Sequence, residues 1–165
     1  MPAKGAATGA TPATRRLDRA GINYELHAYT FAPGDDGIGL QAAAALGVEP
    51  ARLLKTLVIR VDDAATALAL LAVDRELDLK AAALALGGKR AAMASIADAE
   101  RATGYVKGGI SPIATRRRLS AIVDAAAMEW PRVVVNGGRR GLQVELPPQA
   151  LATEIGARVA AVARR

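Results

Sequence analysis

The sequence predicts an α+β fold, a single compact domain in which a mixed, mainly antiparallel sheet is flanked by short helices. Three observations lead there. Apolar runs of strand length are interspersed with short helical patterns in no regular order, two pairs of runs are joined by hairpin-type turns, and the strand–helix alternation of a doubly wound sheet is missing. At 165 residues the chain is long enough for one self-sufficient core. Residues 1–10 carry no continuous apolar stretch and read as a flexible leader, so the domain is expected over 11–165.

Taken in order, Thr11-Pro12 opens a helix, a capping residue followed by proline at the first helical position, and Gly21 closes it. Residues 22–29 read as a strand with Tyr24, Leu26 and Ala28 on one face and Glu25, His27 and Tyr29 on the other. Residues 31–37 are loop. A short alanine-rich helix over 40–46 ends at Gly47, and Pro50 interrupts the chain before the strand 53–61. Asp62-Asp63 supplies the turn into a second strand, 66–73, completing a hairpin. Asp78 caps a helix that Gly87-Gly88 end, and 89–93 follow as a short strand. Ser95 and Asp98 have capping-box spacing for another short helix. Residues 103–112 have the glycine and proline content of a loop, and 121–124 are a brief strand. Residues 132–136 and 141–146 flank Gly137-Gly138 as a second hairpin, with Leu142, Val144 and Leu146 opposing Gln143 and Glu145 by face. A final amphipathic helix is expected over about 149–163.

Composition narrows the chemistry. There is no cysteine, which excludes a thiol nucleophile, a disulfide and any thiolate metal site, and fits a reducing, cytoplasmic setting. The longest uncharged apolar run, 64–73, is too short to span a bilayer. Lysine and arginine number 22 against 16 acids, and this net +6 is concentrated in clusters at 15–16, 89–90, 116–118, 139–140 and 164–165. Such clusters are either solvated surface or contacts to a polyanion. With one Phe, one Trp and three Tyr there is no aromatic platform for stacking a long single strand, which leaves phosphates or one terminal nucleotide as nucleic-acid targets.

The residue that asks for an explanation is Lys55. It begins an apolar strand and shares a side with Leu53, Leu57, Ile59 and Val61. Either its ammonium emerges into a pocket where an anionic or carbonyl ligand meets it, or its stem packs while its head reaches water. Missing motifs exclude other chemistry. His27 is the sole histidine and, on the more polar strand face, reads as structural; with no second histidine, neither a multi-histidine metal site nor a triad with a separate metal centre can be built. None of the glycine pairs completes a phosphate-binding Walker loop. Asp74, Glu76 and Asp78 are accounted for by a turn and a helix cap. Any catalysis falls to lysine, hydroxyls, backbone donors or the substrate itself, and no cofactor is called for.

An ordered set of short motifs resembles the YbaK/EbsC family of aminoacyl-tRNA deacylases, freestanding relatives of the prolyl-tRNA synthetase editing domain. The set is Thr11-Pro12-Ala13, Tyr29, Lys55-Thr56-Leu57, Leu77-Asp78-Leu79-Lys80, Thr103-Gly104-Tyr105, Gly108-Gly109-Ile110-Ser111-Pro112 and Gly137-Gly138-Arg139-Arg140-Gly141-Leu142. Each is weak alone; their order and spacing across almost the whole chain are specific. The resemblance is greatest to the branch that clears cysteine mischarged onto tRNA(Pro), in some members cysteinyl-tRNA more generally. It implies a YbaK-like mixed α/β domain, a pocket for the aminoacylated 3′ end of tRNA, and prolyl-tRNA synthetase as a partner. It implies Lys55 as the essential catalytic lysine, with Tyr29, Thr56, Gly108, Gly109, Ile110, Ser111, Asn136, Gly137 and Gln143 binding substrate. It also implies substrate-assisted cleavage, in which the cysteine thiol attacks its own ester carbonyl and leaves as a cyclic thioester. Two positions depart from the family pattern: Asn136 stands where Ser is usual, and Gln143 where Asp is usual. The second removes the carboxylate that would hold the substrate's α-ammonium, with Glu145 on the same strand face as a partial substitute. The rivals are an alanyl-tRNA(Pro) or other aminoacyl-tRNA deacylase of the same superfamily, and a non-catalytic nucleotide or tRNA-end binding module.

Overall fold

The computed structural model describes residues 10–30 and 38–164. All but the last residue of the leader expected over 1–10, and the whole of the loop expected over 31–37, lie outside the described residues. The elements are α1 (Pro12–Ala20), β1 (Glu25–Ala28), α2 (Ile38–Leu46), β2 (Leu54–Val61), β3 (Ala65–Ala72), α3 (Leu79–Ala85), β4 (Ala91–Met93), α4 (Ile96–Thr103), β5 (Ser120–Asp124), β6 (Val133–Asn136), β7 (Leu142–Leu146), α5 (Pro148–Ile155) and β8 (Arg158–Ala160). The strands divide into a three-stranded sheet ordered β1-β7-β6 and a five-stranded sheet ordered β4-β2-β3-β5-β8. Pairing is antiparallel except for β3–β5 and β5–β8, so the expected mixed, mainly antiparallel character holds across two sheets.

Local signals explain most boundaries. Thr11 accepts from Thr14 N–H while Thr14 returns a bond to the Thr11 amide, a reciprocal cap of the kind that contributes about 1 kcal/mol. Ser95 caps α4 by accepting from Asp98 N–H at 3.1 Å. The main core is closed by the inner faces of both sheets with α1, α4 and α5, and includes Leu17, Tyr24, Leu54, Val58, Leu70, Val123, Val135, Val144 and Leu151. A second cluster puts Ile59, Val61, Ala67, Ala69 and Ile122 of the larger sheet's other face against Ala82 of α3. Burial on both faces explains why β3 reads as a continuous apolar run rather than an alternation.

One element differs from expectation. The helix read over 149–163 ends at Ile155, because Gly156 takes a left-handed conformation (φ +63°). The chain then returns as β8, parallel to β5 with Ile122 opposite Arg158. Its pairing with a strand more than thirty residues upstream supplies the hydrogen bonds that a helix would otherwise make internally.

Candidate active site

An isolated parallel bridge, Leu53 to Val134, links the two sheets. Residues of both β2 and β6 line a cavity of about 300 Å³ beside it. The start of β2 contributes Leu53, Leu54, Lys55, Thr56 and Leu57 to its wall; Asn136 comes from the end of β6, Gln143 from β7 and Tyr29 from just past β1. α2 adds Gly39 and Ala42, Val73 closes one side, and the loop after α4 brings Lys107, Gly108 and Ile110. Register explains the polar arc. Opposed residues share a face, so the pairs His27–Gln143 and Asn136–Gln143 place Asn136 and Gln143 on the same side as Tyr29, away from the Leu142, Val144 and Leu146 side that enters the core.

Lys55 is half-buried in this wall and makes no hydrogen bond or ion pair among the described residues. Desolvation by burial pulls its ammonium below the ordinary lysine value, against the opposing charges of Glu76 and Asp74. Beside it, the Thr56 hydroxyl oxygen is shielded from solvent and has no hydrogen-bond partner among the described residues, an arrangement that a bound polar group would relieve. Burial raises the Tyr29 phenol above its usual value, partly countered by a hydrogen bond from Gln143. Among the described residues, no carboxylate, imidazole or thiol lines the cavity.

The loop that forms the far wall is strapped in place by the second hairpin. Asn136 Nδ2 donates to the Gly108 carbonyl at 3.1 Å, while its Oδ1 accepts from Gly138 N–H at 2.7 Å. Arg140 Nε donates to the Lys107 carbonyl at 2.8 Å. Gly109 lies hard against the hairpin turn, where a Cβ would come within 2.8 Å of the Arg139 backbone. Only glycine fits there. Its N–H is taken by the Val106 carbonyl at 2.8 Å, whereas Gly108 and Ile110 N–H have no backbone partner among the described residues.

Seven of the ten residues expected from sequence thus line one cavity: Lys55, Tyr29, Thr56, Gly108, Ile110, Asn136 and Gln143. Gly109, Ser111 and Gly137 stand behind the wall. Ser111 is fully buried and accepts from Ile113 N–H at 3.1 Å. Gly137 accepts from the Thr11 hydroxyl, tying the hairpin turn to α1 at 2.6 Å. Lys107 was not singled out, although a lysine directly before the glycine pair carried the signal.

Glu145 does not reach the cavity, so it is no substitute for the missing carboxylate at 143. One of its oxygens contacts His27 Nε2 at 2.7 Å; the other lies 3.2 Å from an Arg52 guanidinium nitrogen and 3.3 Å from Arg132 Nε. Burial pushes its carboxyl up, but His27 and Arg52 outweigh that and hold it below the ordinary value. Glu25, His27 and Glu145 carry ligand atoms within 4.8 Å of one another. Two guanidiniums already match the Glu145 charge, which makes this an ion-pair network and a poor host for a cation.

Residues 39–153 match the aminoacyl-tRNA editing domain family, and this chain belongs to that family. An Enterococcus faecalis relative, provisionally named Cys-tRNA(Pro)/Cys-tRNA(Cys) deacylase EbsC, is 34% identical over 86% of this chain and 85% of its own. The multifunctional Ser/Thr-tRNA deacylase ProXp-y of Escherichia coli is 36% identical over 43% of each chain. A solved structure described provisionally as a trans-editing enzyme for prolyl tRNA synthetase superposes with a TM-score of 0.80 at 25% identity, covering 94% of this chain and 99% of that one. No helix among the described residues is long and apolar enough to cross a membrane.

Proposed function

We propose that this editing-family member is a trans-acting deacylase that removes cysteine from tRNA(Pro), and from tRNA(Cys) as a second substrate, by arranging the ester for attack by the substrate's own thiol. The observation that carries the reading is a partly desolvated lysine that, among the described residues, has no hydrogen-bond or ion-pair partner and shares its cavity with no general base. An aminoacyl ester is already activated, so positioning and charge stabilisation suffice where a peptide would need a nucleophile. The cavity is at the small end of ligand pockets, in keeping with an aminoacyl group and the adjoining ribose rather than a whole nucleotide chain.

In this account the substrate thiol loses its proton to water and its sulfur attacks the ester carbonyl carbon. The bond to the ribose oxygen breaks, that oxygen takes up a proton, and the amino acid leaves as a four-membered thioester ring. Lys55 stabilises the negative charge on the carbonyl oxygen, and the amides of Gly108 and Ile110 are the candidate backbone donors. The Thr56 hydroxyl meets a polar atom of the ligand. Gln143 offers its amide oxygen to the α-ammonium, a neutral acceptor for a charged donor. Prolyl-tRNA synthetase is the proposed partner, supplying the tRNA discrimination that so small a cavity lacks.

The test is release of free tRNA from cysteinyl, seryl and alanyl esters of the same tRNA. A cysteinyl rate well above the seryl rate supports thiol attack, because thiols are the better nucleophiles near neutral pH. Equal rates replace it with an activated water. Binding without turnover on every ester would make the protein a tRNA-end binding module.

A further inference from the structure

The loop that walls the ester cavity also walls a second one. Ile110 faces the first; Pro112, two residues on and at most about 7.6 Å away along the chain, faces a cleft of about 280 Å³. Its charged lining is Arg16 of α1, Arg116 and Arg118 of the loop, and Glu154 of α5. Glu154 is paired with Arg16. That leaves Arg116 and Arg118 with no carboxylate partner among the described residues, and Arg117 between them is exposed as well.

These guanidiniums are held by a rigid support. The Arg116 amide donates to the Thr103 carbonyl at 2.9 Å and the Arg117 amide to the Ala102 carbonyl at 3.1 Å, which fixes the loop to the last turn of α4. Upstream, the Tyr105 hydroxyl donates to the Ile113 carbonyl at 2.7 Å. The Arg116 side chain lies over Gly104, where α4 ends, and an Arg118 nitrogen over Gly156, where α5 ends. Helix C-termini favour a cation there, yet both side chains are exposed and each guanidinium has five donors in a planar fork, more than a helix end can take. That fork matches phosphate oxygens in pairs, which a lysine does not.

We infer that this arginine cleft is a docking site for the RNA sugar-phosphate backbone, receiving phosphates of the acceptor stem while the ester-bearing terminus occupies the neighbouring cavity. The inference rests on the proposed tRNA substrate and extends it to how the rest of the molecule is held. Three guanidiniums against one carboxylate give the cleft the sign for a polyanion, and the shared loop makes it a neighbour of the ester cavity. It also assigns one of the five basic clusters of the sequence to the RNA.

The experiment measures binding of uncharged full-length tRNA and of a CCA trinucleotide by fluorescence anisotropy across a salt series, so that it reads out without turnover. The Arg116→Gln/Arg118→Gln variant is compared with wild type and with a charge-matched Lys89→Gln/Arg90→Gln control at the opposite end of the β2–β3 hairpin from Lys55. Loss of two phosphate contacts predicts at least tenfold weaker tRNA binding and a log–log salt slope reduced by about 1.5, with the control changed less than twofold. The trinucleotide should lose far less affinity than the tRNA. Equal losses on the two RNAs, or losses no larger than the control's, overturn the inference. A lowered Tm with unchanged tRNA affinity overturns it in favour of helix-end capping. Saturation of the cleft by inorganic phosphate with tRNA binding undiminished overturns it in favour of a small-anion site. Failure of cysteinyl specificity would instead strike the proposed substrate and leave these binding results readable.

Discussion

Replacing Asn136 with alanine tests whether the loop opposite Lys55 must be held in place. The side chain bridges two segments that are 28 residues apart in sequence, giving one bond to Gly108 and receiving one from Gly138. Each such bond contributes about 1 kcal/mol net, so the variant should lose about 2 kcal/mol. For a domain of this size that corresponds to a Tm lower by about 6 °C. The loop carries the two amides proposed to face the ester, and a displacement of about 1 Å in a positioned group costs on the order of a hundredfold in rate. With the Arg140 to Lys107 bond and the Gly109 contact still restraining the loop, a tenfold fall in kcat is the expected share. Asn136→Asp separates the two bonds. It keeps the acceptor for Gly138 N–H and sets a carboxylate against the Gly108 carbonyl, so kcat should fall at least as far. Thermal melts and single-turnover deacylation measure both effects. A variant destabilised as predicted but fully active would refute the view that loop placement governs the reaction.

Three further outcomes follow from the same geometry. Gln143→Asp gives the α-ammonium a charged acceptor in place of a neutral one, a gain of about 1 kcal/mol, and should lower KM about fivefold with kcat little changed; steady-state kinetics on cysteinyl-tRNA decide it. Because Lys55 has a folded-state value below its unfolded one, its burial costs stability while it is charged; stability from this group rises as pH climbs through the folded value towards 10.5, and activity needing the ammonium falls over the same interval. Lys55→Met should therefore be at least as stable as wild type below that interval, lose the rise, and be inactive, as pH-dependent melts and rates will show. Glu145→Ala removes the carboxylate that Arg52 and Arg132 share and should cost about 2 kcal/mol, below the range for breaking a buried pair because Arg52 keeps Glu49 and both arginines keep some solvent. In the wild-type protein the Glu145 contribution is present above its unfolded value near 4.5 and is lost as pH falls through the lower folded one, so acid melts of the variant should lack that limb.

Much of this arrangement was legible before any coordinates. Alternation in 141–146 put Gln143 opposite the core face, and the strand reading of 22–29 put Tyr29 on the matching side; together they assembled the polar arc. Lys55 stood out because an ammonium among buried aliphatics needs a destination, and its destination is the cavity. Depth behind the wall was not legible. Gly109, Ser111 and Gly137 belong to the same glycine-rich stretches as the lining residues, and only the approach of the hairpin turn decides which of them face inward. The same holds for Glu145, whose strand face is legible while its neighbours His27, Arg52 and Arg132 come from other segments. β8 is not legible because a three-residue strand carries too little pattern to compete with the helix before it.

The most direct measurement of the central claim is the rate of tRNA release from cysteinyl-tRNA(Pro) by the wild-type protein and by Lys55→Ala, with the seryl ester run in parallel. The account predicts that the cysteinyl ester is cleaved at least tenfold faster than the seryl ester, and that the variant loses nearly all activity while keeping its melting transition. Comparable rates on the two esters, or a variant that still turns over cysteinyl-tRNA, would contradict it.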